Sequence, residues 1–241
     1  MLDWLKNDPR DLPAMTVGES ELPIVIRRHA RAKRMTLRLA PDGKDVRVTI
    51  PDWGRTIDAL EFARSRRIWL ERQLADLPTT SSIGAGEKFP YRGDILTIDY
   101  SAKAPRKPAL DGDIIRLGGP ETSLRSRLKR WLEAEARAYL TTDLAHYCQV
   151  VGKDTPRVAL SNARRRWGSC APDGSIRINW RLIMAPDVIR RSVVAHEAAH
   201  LVHFDHSPHF HALLGELFED DIDTANRWLK SDGRRLYGPF G

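Results

Sequence analysis

The segment His196-Glu197-Ala198-Ala199-His200 sets two histidines four residues apart with a glutamate between them. On an α-helix such histidines share one face, one turn (~5.4 Å) apart, so both imidazoles can reach a single metal ion. Glu197 is rotated by about 100° from His196 and need not ligate. It can instead lie beside a water on the metal and take its proton. That division of roles, two helical histidines and a carboxylate base, is the logic of a zinc hydrolase. The pattern therefore requires a helix here, with the rest of the chain packed around it.

A catalytic zinc also needs a third protein ligand and one open position. His206 follows His200 by six residues, past Phe204-Asp205, where the helix is expected to break. This is the ligand spacing of metzincin-type patterns, although His203 stands where those carry glycine and no later turn with Met is evident. Glu216 and Glu219, one helix downstream, remain open as alternative third ligands, and His203, His209 and His211 are close in sequence. Asp205 can brace either a ligating imidazole or the turn backbone.

Around this helix the chain reads as α+β. Residues 1–21 form a lead-in with Pro9 and Pro13. Alternating apolar residues over Leu22–Ile26, Met35–Leu39 and Val46–Ile50 predict a meander of three antiparallel strands. One helix is expected from Thr56 to about Asp76, then a loop over 78–86, then short strands near Lys88–Tyr91, Ile95–Tyr100 and Ile114–Leu117. Residues 22–120 are thus expected to be a β-rich subdomain crossed by one helix, and 121–241 the catalytic domain. In the latter, a helix is predicted over 123–150 and a strand over Arg157–Ser161. A hairpin of Arg166–Ser169 and Ser175–Asn179 turns at Ala171-Pro172-Asp173-Gly174. Helices follow from Pro186 to about His203, from Ser207-Pro208, and over about 222–230.

Composition narrows the class further. Hydrophobic residues make up 41% and charged residues 29% of 241 residues, which excludes a low-complexity or collagen-like chain and argues against a mostly disordered one. No apolar run approaches ~18 residues, and the N-terminus lacks the apolar stretch of a secretory signal, so no membrane association is expected. Two cysteines, Cys148 and Cys170, make no disulfide framework, and the cytoplasm is the expected compartment. The net charge of +7 includes two local clusters, Arg27–Arg38 and Arg164-Arg165-Arg166, which read either as solvated faces or as contacts to phosphate or nucleic acid.

Several segments together resemble the YgjP-like metallopeptidase family, related to the SprT-like zinc proteases. They are Arg166-Trp167-Gly168-Ser169-Cys170, Ile178-Asn179-Trp180-Arg181-Leu182, His196 to Leu201, and His206-Ser207-Pro208-His209-Phe210. Arg31–Arg38 and Val46–Pro51 add an N-terminal match. Ala198 and His211 depart from it, since bulkier residues are expected there. The resemblance implies a zincin-like core, a small twisted sheet plus an active-site helix, with Zn2+ on His196, His200 and His206 and Glu197 as catalytic base. It implies a substrate lying along an edge strand of the 166–179 hairpin. Arg164, Arg165, Arg166, Asn179 and Arg181 are the candidate substrate-binding residues. A peptide or protein is the first substrate expected. A nucleoside triphosphate, UTP cleaved to UMP at the same metal site, is the alternative. A third reading is a protease associated with nucleic acid through Arg27–Arg38, although no zinc ribbon is visible.

Overall fold

The computed structural model describes residues 12–40, 43–75 and 83–240. The chain divides into two units, Met1–Leu77 and Pro78–Gly241. The loop expected over 78–86 lies largely outside the described residues.

The first unit holds strands β1 (Ala14–Val17), β2 (Ser20–Arg28), β3 (Thr36–Leu39) and β4 (Val46–Ile50) in the order β1-β2-β4-β3. β2 runs parallel to β4, from Ile24 against Val46 to Arg28 against Ile50, and β3 is antiparallel to β4. The expected meander is therefore not formed, because β4 inserts between β2 and β3, and the lead-in contributes β1. Burial explains the placement. Val46, Val48 and Ile50 of β4 are fully buried, as suits a middle strand, while β3 is only partly covered and takes an edge. The single helix expected after Thr56 is two, α1 (Thr56–Ser65) and α2 (Arg67–Ala75). At the break the Ser65 hydroxyl donates to the Phe62 carbonyl at 2.8 Å and the Arg66 amide to Ala63 at 3.1 Å, tightening the turn. Within the basic stretch, Arg28 is structural: its guanidinium donates to the carbonyls of Asp52 and Gly54.

The second unit contains two sheets and four α-helices among its described residues. β5 (Lys88–Tyr91), β6 (Asp94–Tyr100), β7 (Ala109–Asp111) and β8 (Ile114–Leu117) form a sheet in the order β5-β6-β8-β7. Phe89, Tyr91, Leu96, Ile98, Ile115 and Leu117 of this sheet share one core with the helices that follow. The chain divides into compact units at 77/78, whereas the sequence placed its domain boundary at 120/121. The alternating pattern marks these strands but does not tell which neighbour covers their apolar face.

Helix α3 (Leu124–Val150) buries a stripe of Leu124, Leu128, Leu132, Ala136, Leu140, Leu144 and Tyr147, spaced three or four residues apart. β9 (Val158–Ser161), β10 (Gly168–Cys170) and β11 (Ile176–Asn179) form a second sheet, in the order β10-β11-β9, with β11 parallel to β9 and antiparallel to β10. Of the two hairpin strands only β10 lies at a sheet edge. Helix α4 (Asp187–Ala199) packs against α3 and the hairpin, with Ile189, Val194, Ala195, Ala198 and Ala199 all buried. Ala198, a departure from the resembling family, is completely enclosed, so its methyl fits where a larger side chain would need space. Helices α5 (Pro208–Leu217) and α6 (Ile222–Ser231) follow.

Behind α4 a buried ion pair ties the two long helices together. Arg190 Nε donates to Asp143 Oδ2 at 2.7 Å, and the two side chains are 2% and 5% exposed. Arg190 also donates to Asp187, which the Arg92 guanidinium clasps from the β5–β6 turn.

Candidate metal centre and its base

The helix α4 ends earlier than its sequence suggests. Leu201 and Val202 donate to the carbonyls of Ala198 and Ala199 in tight three-residue turns, and regular helix stops at Ala199 rather than running to His203. This early stop matters for the site. It lets the His203 carbonyl turn back to accept from His200 Nδ1 at 3.1 Å, which leaves His200 Nε2 as the nitrogen free to ligate. It also gives the chain room to return. Asp205 Oδ1 accepts from the Ser207 amide at 3.3 Å, so this carboxylate braces the turn backbone rather than an imidazole. Ser207 then N-caps α5 by accepting from the Phe210 amide, and Pro208 occupies the first turn.

His206, on this return, comes back to the helix. Its Nε2 lies 3.3 Å from His196 Nε2, and the ligand atoms of His196, His200 and His206 all fall within 4.8 Å of one another. Two nitrogens at about 2.05 Å from a tetrahedral zinc are about 3.4 Å apart, the spacing of the His196–His206 pair. The fully buried Phe210 supports all three rings, with centroids 5.0 Å from His196, 4.5 Å from His200 and 4.9 Å from His206. Burial and the neighbouring histidines push His196 down to about 4, which keeps it neutral and able to ligate near pH 7. Glu219, an alternative ligand in the sequence, is engaged elsewhere: it accepts from Tyr147 Oη at 2.7 Å and pairs with Arg191. Glu216 is exposed and outside the cluster, and His203, His209 and His211 also lie outside it.

Glu197 stands beside the triad and is only 5% exposed. Its Oε2 has no hydrogen-bond partner among the described residues. Burial raises its carboxyl to about 7, against the opposing pull of the Arg166 charge and the Cys170 amide. The carboxylate lies against the backbone of β10. A Cβ at Gly168 would come within 2.7 Å of Glu197 Cδ, so only glycine leaves it room. Gly168→Ala is expected to displace the carboxylate and lower turnover by about 10²-fold with the metal content unchanged; unchanged kinetics in the metal-loaded variant would refute this contact.

The other candidates separate. Arg164, Arg165 and Arg166 are exposed, and of the three only the charge of Arg166 acts on Glu197. Asn179 and Arg181, expected to bind substrate, are 0% and 1% exposed and turn inward. Asn179 Nδ2 donates to the Ala163 carbonyl at 2.8 Å and to Tyr237 Oη at 3.0 Å, and its Oδ1 accepts from the Arg181 amide. Arg181 donates to Asn162 and lies between the rings of Trp180 and Tyr237, 4.6 Å from each. Both hold the chain that follows the hairpin, because a polar residue in a motif can be buried by partners that come from the C-terminal segment. Trp180 is buried in the core, and Cys170 Sγ points to the Ala171 carbonyl rather than to the histidines. Gly168 and Phe210 lie within the motifs that carry the family resemblance, but the sequence assigns neither a role. A glycine inside a strand pattern is a signal of close approach, but what approaches it is not written in the strand.

Three converging imidazoles with a buried carboxyl beside them, on a mixed α+β framework, have the donor set that a metal-dependent hydrolase uses. The family model of the YgjP-like metallopeptidase domain matches residues 33–232, and the chain belongs to this YgjP-like family. The family implies a bound metal, and the His triad is where one would sit. No curated protein and no solved structure matches the chain. Among the described residues no helix is long and apolar enough to cross a membrane.

Metal binding has a direct readout. With free zinc at 100 times its dissociation constant, folded protein is expected to gain about 2.7 kcal/mol, or roughly 5–11 °C in melting temperature. His206→Ala is expected to lose most of that shift at the same zinc concentration. An equal shift in the variant would remove His206 from the ligand set.

Proposed function

We propose that this chain is a zinc-dependent peptidase in which His196, His200 and His206 hold the metal and Glu197 is the general base. The observation that carries the reading is the buried Glu197 carboxyl, one oxygen unpartnered, beside three imidazoles whose nitrogens converge at metal-ligand spacing. A bound zinc would act as a Lewis acid, acidifying water and polarising the scissile carbonyl.

The remaining work falls to the chain. Glu197 takes the proton of the attacking water and delivers it to the leaving amine. A carboxyl held near 7 is matched to both steps at neutral pH. Gly168 keeps that carboxyl in place. The edge strand β10 offers backbone groups to an extended peptide, which supports a protein or peptide substrate. Arg166 lies near enough for its charge to act on Glu197 and is the remaining candidate for holding the developing oxyanion. Both cysteines are free thiols, which suits a reducing compartment such as the cytoplasm.

The test is cleavage of a quenched-fluorescence peptide library by zinc-loaded protein. Cleavage that a chelator stops and zinc restores supports the reading; its absence across the library overturns it. The Arg166 charge also favours a second reading, hydrolysis of nucleoside triphosphates. Glu197-dependent release of pyrophosphate from UTP, beside no peptide cleavage, would move the substrate to nucleotides.

A further inference from the structure

The basic stretch from Arg27 to Arg38 is left largely without acidic partners by the fold. Arg27, Arg31, Lys33, Arg34 and Arg38 are all exposed, and none of them forms an ion pair among the described residues. Arg47, Arg55 and Arg67 of the same unit, by contrast, pair with Asp45, Asp58 and Glu71. Close by in the chain, Trp53 is 81% exposed. We infer that the first unit binds single-stranded nucleic acid, with the five cations on its phosphates and Trp53 stacked on a base. The inference goes beyond the peptidase reading and does not depend on it.

Strand register places the cations. Ile24, Val46, Val48 and Leu37 face the core of this unit, so the alternate residues of β2, β4 and β3 face the other way. On that outer face Arg27 stands opposite Thr49, and Thr49 opposite Thr36; in the next row Arg38 stands directly opposite Arg47. Like charges set directly across a sheet cost stability. Asp45 offsets the charge of Arg47, whereas Arg38 has no acid on it among the described residues. A polyanion laid across this face removes that cost.

The turns at one end of the sheet extend the surface. β2 and β4 are parallel with Arg28 opposite Ile50, and the His29 amide donates to the Ile50 carbonyl at 3.0 Å, so the turns 29–35 and 51–55 leave from the same end. His29 holds the first turn: its carbonyl accepts from the Ala32 amide at 2.9 Å and its Nδ1 from the Arg31 amide at 3.2 Å. Arg31, Lys33 and Arg34 are presented to solvent from it. In the second turn the Arg28 guanidinium donates to the carbonyls on either side of Trp53, those of Asp52 and Gly54. The Gly54 amide closes the turn on the Pro51 carbonyl at 3.0 Å. The backbone carrying the indole is thus fixed while the ring stays open. Such a ring suits stacking, since every base has a face to offer and a preordered partner loses little entropy on binding. Stacking also selects single strands, whose bases are free to leave their neighbours.

The experiment titrates the full chain, by fluorescence anisotropy at several salt concentrations, against labelled single strands of about 15 nucleotides. DNA and RNA of one sequence, the matching DNA duplex and phosphatidylserine vesicles form the arms. Binding to single strands is expected to weaken with salt, log K falling on log salt with a slope of about −2 to −3.5 for three to five phosphates. Trp53→Ala is expected to weaken binding about 5–150-fold with that slope unchanged, and Trp53→Phe to keep most of the affinity. Arg31→Gln, Lys33→Gln and Arg34→Gln together are expected to flatten the slope by about 2. Arg67→Gln, the same loss of charge at a cation already paired on α2, is expected to change affinity less than about twofold. These positions are exposed, and thermal melts check that each variant keeps its fold. Binding of either DNA or RNA supports the inference, and a preference between them shows whether the 2′-hydroxyl is read. No binding to either strand at about 50 mM salt, a duplex held as tightly as the single strands, Trp53→Ala without effect, or a slope that the triple variant leaves unchanged would each overturn it. Vesicle binding without nucleic-acid binding would overturn it too and assign the surface to an anionic membrane. None of these outcomes touches the peptidase reading, which rests on the second unit.

Discussion

Glu197→Gln is expected to lower kcat/KM by about 10²–10⁴-fold and to leave the zinc content unchanged. Glutamine matches glutamate in shape, so it preserves the packing of the side chain against Gly168. It cannot accept a proton. On the proposed reading the metal is held by His196, His200 and His206, so the substitution leaves the ligand set unchanged. Activity and zinc content, measured together, therefore distinguish the possible roles. A dead enzyme with full zinc identifies a base; a dead enzyme without zinc identifies a residue that holds the site together. A variant that is zinc-loaded and fully active would remove Glu197 from the mechanism.

Asp143→Ala destabilises the second unit by about 3–5 kcal/mol, an expected fall of roughly 6–20 °C in melting temperature. The reason is what stays behind. Arg190 is 2% exposed and its guanidinium is shared between Asp143 and Asp187. Removing Asp143 strands a buried positive charge with one partner, itself partly exposed, and also takes a contact from Arg191. Thermal and urea melts of the metal-free protein give the cost. A loss below about 1 kcal/mol would mean that water reaches the pair and that the link between α3 and α4 is weak.

The site was legible in the sequence to different depths. His196, Glu197 and His200 could be read because helix geometry is local: four residues make one turn whatever the rest of the chain does. His206 could be proposed from spacing, with Glu216 and Glu219 still open, and the return path through Asp205, Ser207 and Pro208 is what brings it to the others. Asn179 and Arg181 show what a motif leaves out. Their place in a motif beside the hairpin suggested substrate contact, but Tyr237 and Phe240, some 60 residues on, come back to cover them.

The strands show the same limit. Period-two alternation marked Val46–Ile50 and Ile114–Leu117 correctly as strands, and α3 followed from its stripe of leucines. Which strand lies beside which did not follow, because pairing depends on loops and on which apolar face finds cover. Thus β4 entered between β2 and β3, and β5–β8 joined the core of the catalytic helices instead of the N-terminal sheet.

By itself the sequence determined the chemistry available, two histidines and a carboxylate on one helix, and the class of reaction such a set is suited to. Only the tertiary structure decided how that chemistry is tuned. Burial against β10 lifts Glu197 toward neutrality, and Phe210 supports the three imidazoles. A residue type carries its donor atoms wherever it goes, but its dielectric surroundings and its neighbours exist only once distant segments pack together.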